Sequence, residues 1–258
     1  MHRRPLLARR LAAFSLASLA LSATAAHAGE VTVAVAANFA APLAKLAEGF
    51  TATTGHTLKT TAGATGKFYS QILAGAPFQV LIAADDETPK RLIAEGHAVA
   101  GSNFTYAIGH LVLWSAQPGL VDDQGAVLAT AKFNKLAIAS PKVAPYGRAA
   151  MQVIQGSGLA ATLTPKLVTG ESIAQAYQFV FTGNAELGLV ALSQVLVPGK
   201  PVLGSFWRVP ATLHDPIRQD AVLLKAGEHN AAAAALLAYL KTAPARAVIQ
   251  AYGYSPNP

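Results

Sequence analysis

The sequence predicts an α/β fold of two lobes, each a mixed, mostly parallel sheet flanked by helices, joined by a two-strand hinge. Short apolar runs alternate with segments of helical periodicity, which is typical of parallel strands covered by helices. This alternation occurs in two separate blocks of the chain. Two longer strand-like runs, at 104–116 and 216–227, are placed so that both can cross from one block to the other.

The first block contains three strands that alternate with three helices. Asn38 ends the first strand and is a good N-cap for the helix that follows, and Gly55 is a good residue to end it. The next helix follows a Gly-rich turn in which we expect Thr65 to be the cap. The predicted strands are 30–38, 56–63 and 78–85, and the predicted helices are 39–55, 67–75 and 86–96.

The second block restarts the alternation after residue 134. Its predicted strands are 135–140 and 165–170, its helices are 144–158 and 171–183, and the segment 185–195 closes it. The last segment, 230–254, is predicted to be helical with a break near Pro244, and it is expected to return to the first block. We therefore predict that residues 29–109 and 217–258 form lobe 1 and that residues 110–216 form lobe 2.

Residues 1–28 have the layout of a secretory signal peptide. A basic start with four Arg residues precedes an apolar run at 11–21, and residues 26–28 form a small-x-small cleavage site. The apolar run is shorter than the roughly 20 residues that cross a bilayer. We expect cleavage after Ala28, which would place the mature protein in the periplasm.

The composition favours a folded globular protein with a small net charge. Hydrophobic residues make up 52% of the chain and charged residues 13%, unlike a disordered protein. After residue 28, sixteen basic residues stand against thirteen acidic ones, so the net charge falls from +7 to +3. The basic residues form no run, which argues against nucleic acid as a partner. The chain contains no cysteine, which excludes thiol catalysis and Cys-ligated metal centres.

The Gly-rich segment TTAGATGKF, at 60–68, raises the question of nucleotide binding. A phosphate-binding Walker loop requires Gly, four residues, then Gly-Lys and Ser or Thr. Here Thr61 stands where the first Gly is required, and Phe68 follows Lys67. The segment therefore predicts a helix N-terminus and argues against a nucleotide phosphate.

Four predicted helices begin at the ends of strands, near residues 38, 65, 145 and 172. Ligands of open α/β sheets bind at the carboxyl ends of the strands. Helix N-termini in that position offer unpaired N–H groups and positive dipole ends to an anion. Four such ends facing one cleft predict a site for a small anion, with Asn38, Thr65 and Tyr146 as neutral side-chain donors.

The alternative from another class is an exported hydrolase that uses Asp85 or a histidine. The nucleophile motif G-x-S-x-G is absent. Asp85 and Asp86 precede a helical pattern and are better explained as helix caps. The histidines stand singly, without the H-x-x-x-H spacing of a helical metal site: His56, His97, His110, His214 and His229.

The loops at 36–39, 63–68 and 145–147, with GAPFQVLIAADD (75–86), ELGLVALSQV (186–195) and the closing YGY (252–254), resemble the periplasmic molybdate-binding proteins of ABC importers. The resemblance covers residues 29–255. It implies the two-lobed periplasmic-binding-protein fold and a membrane ABC permease as partner. It also implies that backbone N–H groups and neutral side chains hold a dehydrated molybdate or tungstate dianion between the lobes.

The resemblance further implies which residues bind the anion. They are Asn38 of the first loop, Thr65 of the second, Tyr146 of the third, the backbone N–H of Ile173 in the fourth, and Ala37 beside Asn38. No side chain would bind the metal itself, because the molybdenum is held through its oxygens. Ala191 stands where one branch of the family has a Tyr, and the hydroxyl of Tyr146 is positioned to replace it.

A site made of donors favours an oxyanion without protons, because hydrogen phosphate also requires an acceptor. Tungstate has nearly the shape of molybdate and should bind as well. Sulfate differs in size alone, so a receptor for sulfate or another small oxyanion stays open beside the hydrolase. On the favoured interpretation the protein is a monomeric binding protein that is not an enzyme and needs no cofactor.

Overall fold

The computed structural model describes residues 28–257, and the predicted signal peptide lies, apart from Ala28, outside the described residues. Over this range the chain forms ten strands, nine α-helices and four short 3-10 turns. The strands are β1 (Glu30–Ala36), β2 (Thr57–Gly63), β3 (Val80–Ile82), β4 (Phe104–Gly109), β5 (Leu111–Ser115), β6 (Leu136–Ala139), β7 (Leu167–Gly170), β8 (Leu187–Ala191), β9 (Ser205–Arg208) and β10 (Ile217–Leu223). The helices are α1 (Ala40–Thr54), α2 (Thr65–Leu73), α3 (Glu87–Ala94), α4 (Pro145–Gly156), α5 (Ala160–Leu163), α6 (Ile173–Phe181), α7 (Leu192–Val195), α8 (Ala231–Leu240) and α9 (Ala243–Ala251). The 3-10 turns are Ala37–Phe39, Ala126–Ala129, Thr164–Lys166 and Lys225–Gly227.

The ten described strands form two five-stranded sheets with the same arrangement. The first sheet has the order β2-β1-β3-β10-β4, and β10 runs against the other four strands. The second has the order β7-β6-β8-β5-β9, and β5 runs against the other four. This confirms the predicted α/β architecture of mixed, mostly parallel sheets. We call the first sheet with its helices lobe 1, and the second sheet with its helices lobe 2.

The chain crosses between the sheets in a way that the apolar pattern did not resolve. The run at 104–116, predicted as one strand, consists of β4 in lobe 1 and β5 in lobe 2, separated by His110. The run at 216–227 ends as a strand at Leu223 and continues as a 3-10 turn. The prediction of two long crossing strands is therefore wrong in detail, because an apolar pattern continues through consecutive strands even when they join different sheets.

Helices cover both faces of the lobe 1 sheet. On one face Val33 is buried in a cluster with Leu43 of α1 and Leu236 of α8. On the other face Leu81 is buried with Phe68 of α2. The C-terminal helices thus complete the core of lobe 1, beside the N-terminal strands.

The C-terminal helices break where the sequence predicts. Thr242 caps α9 by accepting a hydrogen bond from the Ala245 N–H, and Pro244 lies in the first turn, where its missing N–H costs nothing. Within residues 28–257, no single helix is both long enough and apolar enough to cross a membrane. Helices α8 and α9 meet that test as a pair, across a bend of 64°.

Two predicted caps differ in the structure. Asn38 lies inside the 3-10 turn Ala37–Phe39, and Phe39 precedes the first residue of α1. Ala64, not Thr65, occupies the N-cap position of α2, so that Thr65 is its first helical residue. Both polar side chains are buried rather than engaged at a solvated helix end, because each makes contacts with distant parts of the chain.

Candidate functional site

A small cavity lies between the lobes, at the carboxyl ends of β1, β2 and β6 and at the start of α6. All five residues expected to bind an anion line it. The lining residues are Ala36, Ala37, Asn38, Gly63, Ala64, Thr65, Ala84, Ala144, Pro145, Tyr146 and Ile173. The structure therefore brings together four loops that are spread along the sequence from Ala36 to Ile173.

Backbone N–H groups from four chain segments converge at this cavity. Helices α2, α4 and α6 begin at Thr65, Pro145 and Ile173, and a 3-10 turn begins at Ala37. The first N–H groups of a helix have no intrahelical partner, and the helix dipole adds positive potential there. Ser172 caps α6 by accepting from the Gln175 N–H, which leaves the N–H of Ile173 directed toward the helix entrance. The arrangement suits an anion.

The cavity has a volume of about 10 Å³. A cavity of roughly 10–15 Å³ holds about one water molecule. A tetrahedral oxyanion, with five non-hydrogen atoms, needs more room, so the two lobes must move apart to admit one. Two crevices are larger. That of about 250 Å³ lies beside β4, α8 and α9, whereas that of about 270 Å³ adjoins the small cavity and shares Ala84 and Pro145 with it, but charged side chains line it. Size alone therefore does not identify the site here.

Thr65 is held so that its hydroxyl can act as a donor. The side chain is buried, and its Oγ1 accepts a hydrogen bond of 3.0 Å from the Ala84 N–H. A hydroxyl has one proton and two acceptor positions. Among the described residues, no acceptor takes the proton of Thr65, which leaves it for a ligand in the cavity.

Asn38 is anchored by a buried hydrogen-bond network rather than by capping a helix. Its Nδ2 donates to Gln219 Oε1 and to Tyr254 Oη, both at 2.9 Å. Its carbonyl oxygen accepts from the hydroxyls of Ser193, at 2.9 Å, and Tyr254, at 3.0 Å. Both amide protons are thus used within the protein. The expectation that the Asn38 side chain is a free donor is therefore wrong in this arrangement, and its backbone N–H remains.

One atom of this network has no partner. Across residues 28–257, Asn38 Oδ1 is the single buried side-chain nitrogen or oxygen that lacks a hydrogen bond. Buried polar atoms are usually satisfied, and an exception in a native structure points to a ligand, a water or a functional role. The exception lies on a residue that lines the cavity.

Tyr146 extends from α4 toward lobe 1. Its hydroxyl accepts a hydrogen bond of 3.0 Å from Gln219 Nε2. Burial raises the pKa of Tyr146 well above its ordinary value, and the nearby Tyr254, which would repel a phenolate, adds to this, so the phenol stays neutral. The pKa of Tyr254 is raised by burial in the same way. The network below the cavity therefore carries no charge at physiological pH.

Charged residues that do not line the cavity pair across the lobes. Arg148 Nη2 of α4 contacts Asp85 Oδ2 of lobe 1 at 3.0 Å, and Lys67 of α2 pairs with Glu171. The side chain of Glu171 is 75% exposed, so this second pair lies in solvent. The backbones also meet, because the Gly66 N–H donates to the Val143 carbonyl at 2.9 Å. These contacts hold the two lobes in a closed arrangement.

This site geometry can be compared with known proteins. The sequence model of the family described as "Bacterial extracellular solute-binding protein" matches residues 31–255. The chain belongs to this family.

Relatives of this solute-binding protein are similar over nearly their whole length. The molybdate-binding protein ModA of Azotobacter vinelandii is 61% identical over 234 residues, covering 91% of this chain and 93% of the relative. The molybdate-binding protein ModA of Rhodobacter capsulatus is 54% identical over 245 residues, covering 95% and 96%. The solved structure of a periplasmic molybdate-binding protein of Azotobacter vinelandii has a TM-score of 0.86 at 42% identity, covering 88% of this chain and all of that chain.

Asp85 of this solute-binding protein has a structural role, as its sequence context predicted. Its Oδ1 accepts from the Thr88 N–H at 3.1 Å, in the first turn of α3, and its Oδ2 pairs with Arg148. Asp86 occupies the N-cap position but does not make that bond. The described residues contain no group of three or more His, Asp or Glu side chains placed to hold a metal ion.

Ala191 is buried at the end of β8, and the cavity is lined by Tyr146 rather than by a side chain at this position. The Ala191 N–H donates to Gln194 Oε1 at 3.1 Å, while Gln194 Nε2 donates to the Ile173 carbonyl. Gln194 thereby ties the end of β8 to the first residue of α6. The backbone of Ala191 is thus linked through Gln194 to the fourth loop.

The sequence reasoning missed three polar residues that organise the site: Gln219, Ser193 and Tyr254. All three are buried, and all three bond to Asn38. Gln219 carried a usable signal, because it belongs to three consecutive polar residues, Arg218 to Asp220, in a strand whose other residues are apolar. A buried polar residue in a strand requires a partner, and such residues cluster where a site is built.

Proposed function

We propose that this protein is the exported substrate-binding component of an ABC importer and that it captures molybdate in the cleft between its lobes. The observation that carries the proposal is the cavity itself. Its lining combines helix N-termini from both lobes with neutral side chains, and no charged residue of the described chain is part of it. Binding a dianion with dipoles and neutral donors alone is the chemistry that this site offers.

The comparisons support molybdate as the anion. Two relatives at 61% and 54% identity are named molybdate-binding proteins, and each is covered over more than nine-tenths of its length. A solved structure with a TM-score of 0.86 is that of a periplasmic molybdate-binding protein. These names describe the relatives, and their extent of similarity supports the same substrate here.

We propose specific roles for the lining residues. The backbone N–H groups of Ala37, Asn38, Tyr146 and Ile173 donate to the oxygens of the anion. Thr65 donates through its hydroxyl and through its N–H. The molybdenum has no ligand from the protein, because every contact is made through oxygen. We also propose that the chain is exported and cleaved near Ala28 and that it is a periplasmic monomer. It delivers the anion to a membrane permease without chemical turnover.

The donor set also determines which anions compete. Molybdate, tungstate and sulfate carry no proton at neutral pH, whereas hydrogen phosphate does and needs an acceptor. Tungstate should bind like molybdate because its shape is nearly the same. Sulfate is smaller, so in a cleft that closes to fit molybdate its oxygens would reach fewer of the donors. A sulfate receptor is therefore the second candidate, distinguished by cavity size alone.

Thermal unfolding of residues 29–258 with each anion tests the proposal. A ligand at 100 times its Kd that binds the folded state alone adds about 2.7 kcal/mol, and each kcal/mol raises Tm by roughly 2–4 °C at this size. We expect molybdate and tungstate to raise Tm by about 5–10 °C, and sulfate and phosphate to have little effect. Equal shifts with sulfate would overturn the choice of molybdate, and no shift with any of the four would overturn the receptor.

A further inference from the structure

A single buried amide, that of Gln219, links the two lobes beneath the cavity. Its Nε2 donates to Tyr146 Oη of lobe 2 at 3.0 Å. Its Oε1 accepts from Asn38 Nδ2 at 2.9 Å and from Tyr106 Oη at 2.8 Å, both in lobe 1. Gln219 has no exposed surface, and all four of these residues are buried. The amide therefore connects the first and third loops of the site by side-chain bonds alone.

The fold has a specific irregularity that makes this link possible. In the pairing of β10 with β4, Gln219 faces Ala107 and Asp220 faces Thr105, so Tyr106 is an extra residue on β4. Such a bulge bends the strand and redirects its side chains. Here it brings the hydroxyl of Tyr106 to Gln219, and the same hydroxyl lies 3.0 Å from the Ala83 carbonyl.

Gly109, at the end of β4, leaves room for the hydrogen bond between Gln219 and Tyr146. A Cβ placed on Gly109 would overlap both Tyr146 Oη and Gln219 Nε2. Gly109 is also the last residue of β4 before the chain enters lobe 2. The crossover is thus kept clear of side chains at the point where the interlobe hydrogen bond forms.

The orientation of the Gln219 amide also controls that of Asn38. Because Asn38 Nδ2 faces Gln219 Oε1, turning the Asn38 amide over would bring two oxygens into contact unless Gln219 turned over as well. Gln219 therefore decides whether Asn38 offers an oxygen or a nitrogen at its unpartnered position. The bond to Gln219 thereby fixes the side chain of Asn38, and with it the loop of Ala37 and Asn38 that lines the cavity.

We propose that Gln219 is a positioning residue of the anion site: it couples closure of the lobes to the orientation of Asn38 and Tyr146 without touching the anion. The inference rests on the proposed function, because it concerns how the same cleft holds its ligand. Gln219 lies outside the residues that line the cavity, so its effect on the anion passes through Asn38 and Tyr146.

A double-mutant cycle measures this coupling directly. Molybdate affinity is determined by calorimetry for the parent, Gln219→Met, Tyr146→Phe and the double variant. Met has nearly the length of Gln but can neither donate nor accept in this way. We expect Gln219→Met to weaken binding about tenfold in the parent and less than threefold in the Tyr146→Phe protein, since interacting residues are not additive. A residue that only supports the fold would lower affinity by the same factor in both backgrounds.

Two further variants make the test decisive. Gln152→Met is the matched control, because Gln152 lies on α4 like Tyr146 but bonds the exposed Asp215, away from the cavity. It should bind molybdate within twofold of the parent. If Gln219→Met does not fold, the same cycle is run with Gln219→Asn, which keeps a neutral amide but is one methylene too short to reach both Tyr146 and Asn38. We expect the same pattern as for Met, a weaker affinity in the parent and a smaller effect in the Tyr146→Phe protein.

The outcomes separate this inference from the proposed function. If the parent binds molybdate and the cycle is additive, or if Gln219→Met binds as tightly as the parent, Gln219 is not a positioning residue and the inference is wrong. If the parent itself does not bind molybdate, the proposed function is wrong. A higher affinity of Gln219→Met would also refute the inference, since it would mean that the amide opposes binding.

Discussion

Replacing Thr65 by Val tests whether its hydroxyl contacts the anion. Val has the same branched shape, so the substitution fills the same space while removing the oxygen. Two hydrogen bonds are lost: the one accepted from the Ala84 N–H at 3.0 Å and the proposed one donated to the anion. The first exists with or without ligand, and the second exists in the complex alone. The two losses therefore appear in different measurements.

The magnitudes follow from the burial of the site. Thr65 is 1% exposed, so the Ala84 N–H is left without a partner in a buried place. An unpaired buried group costs about 1–3 kcal/mol, which should lower the unfolding free energy of the ligand-free protein by that amount. A hydrogen bond to a charged group contributes about 1.5–3 kcal/mol, which corresponds to a roughly 10- to 150-fold weaker Kd.

Calorimetric titration with molybdate gives the second quantity, and urea unfolding of the ligand-free protein gives the first. Thr65→Ser is the matched control, because it keeps both hydrogen bonds and loses one buried methyl group, a change of about 0.8 kcal/mol in stability. It should bind within a few-fold of the parent. If Thr65→Val is destabilised but binds molybdate as tightly as the parent, Thr65 only supports Ala84 and its proposed role in binding is wrong.

Two other features give further predictions. A Cβ on Gly66 would lie 3.0 Å from the Val143 Cα and carbonyl oxygen in the other lobe. Gly66→Ala should therefore obstruct closure and weaken molybdate binding about 5- to 100-fold, whereas Ser70→Ala, on the exposed side of the same helix, should leave binding unchanged. Equal affinities of the two variants would show that the lobes do not meet there in the complex. Burial lowers the pKa of His110, and the nearby Arg208 and His214 lower it further by smaller amounts. The imidazole therefore binds a proton more tightly in the unfolded chain than in the folded one. His110 should therefore contribute stability that is present above about pH 6.5 and is lost as the pH falls toward its folded-state pKa. In urea unfolding between pH 7.5 and 5.5, the unfolding free energy of His110→Gln should fall less steeply with decreasing pH than that of the parent. The same pH dependence in both proteins would contradict this.

The sequence predicted the architecture because strands that are buried on both faces appear as continuous apolar runs, and the segments between them show helical periodicity. Strand β1 follows this rule, with Val31 and Val33 almost without exposed surface. The pattern failed where it continues without interruption, as at His110, where the chain leaves one sheet and enters the other. It also missed β9, a four-residue strand at the edge of the second sheet, because its sequence, SFWR, is not an apolar run. Strand pairing, which is a long-range property, decides both cases.

The sequence also predicted which loops meet, since the carboxyl ends of neighbouring parallel strands must lie at one edge of a sheet. It did not predict how Asn38 is held. Its partner Gln219 is 181 positions away, and the bulge that orients this residue leaves no local signature. A residue with good capping chemistry can therefore be recruited into a buried network instead. Local preference is overridden where distant polar groups must satisfy each other.

The distribution of charge explains how a neutral cavity can hold a doubly charged anion. The interlobe ion pairs Asp85–Arg148 and Lys67–Glu171 bring opposite charges together at the closing surfaces, and Glu87 also lies 3.8 Å from Arg148. None of these residues lines the cavity, so closure adds no charged group to the lining while it removes water from the helix N-termini. With water excluded the dielectric constant is lower, and the fixed N–H dipoles attract an anion more strongly than the same groups do in solvent. A charged lining would bind many anions with little selectivity, whereas fixed donors favour the anion whose oxygens reach every donor.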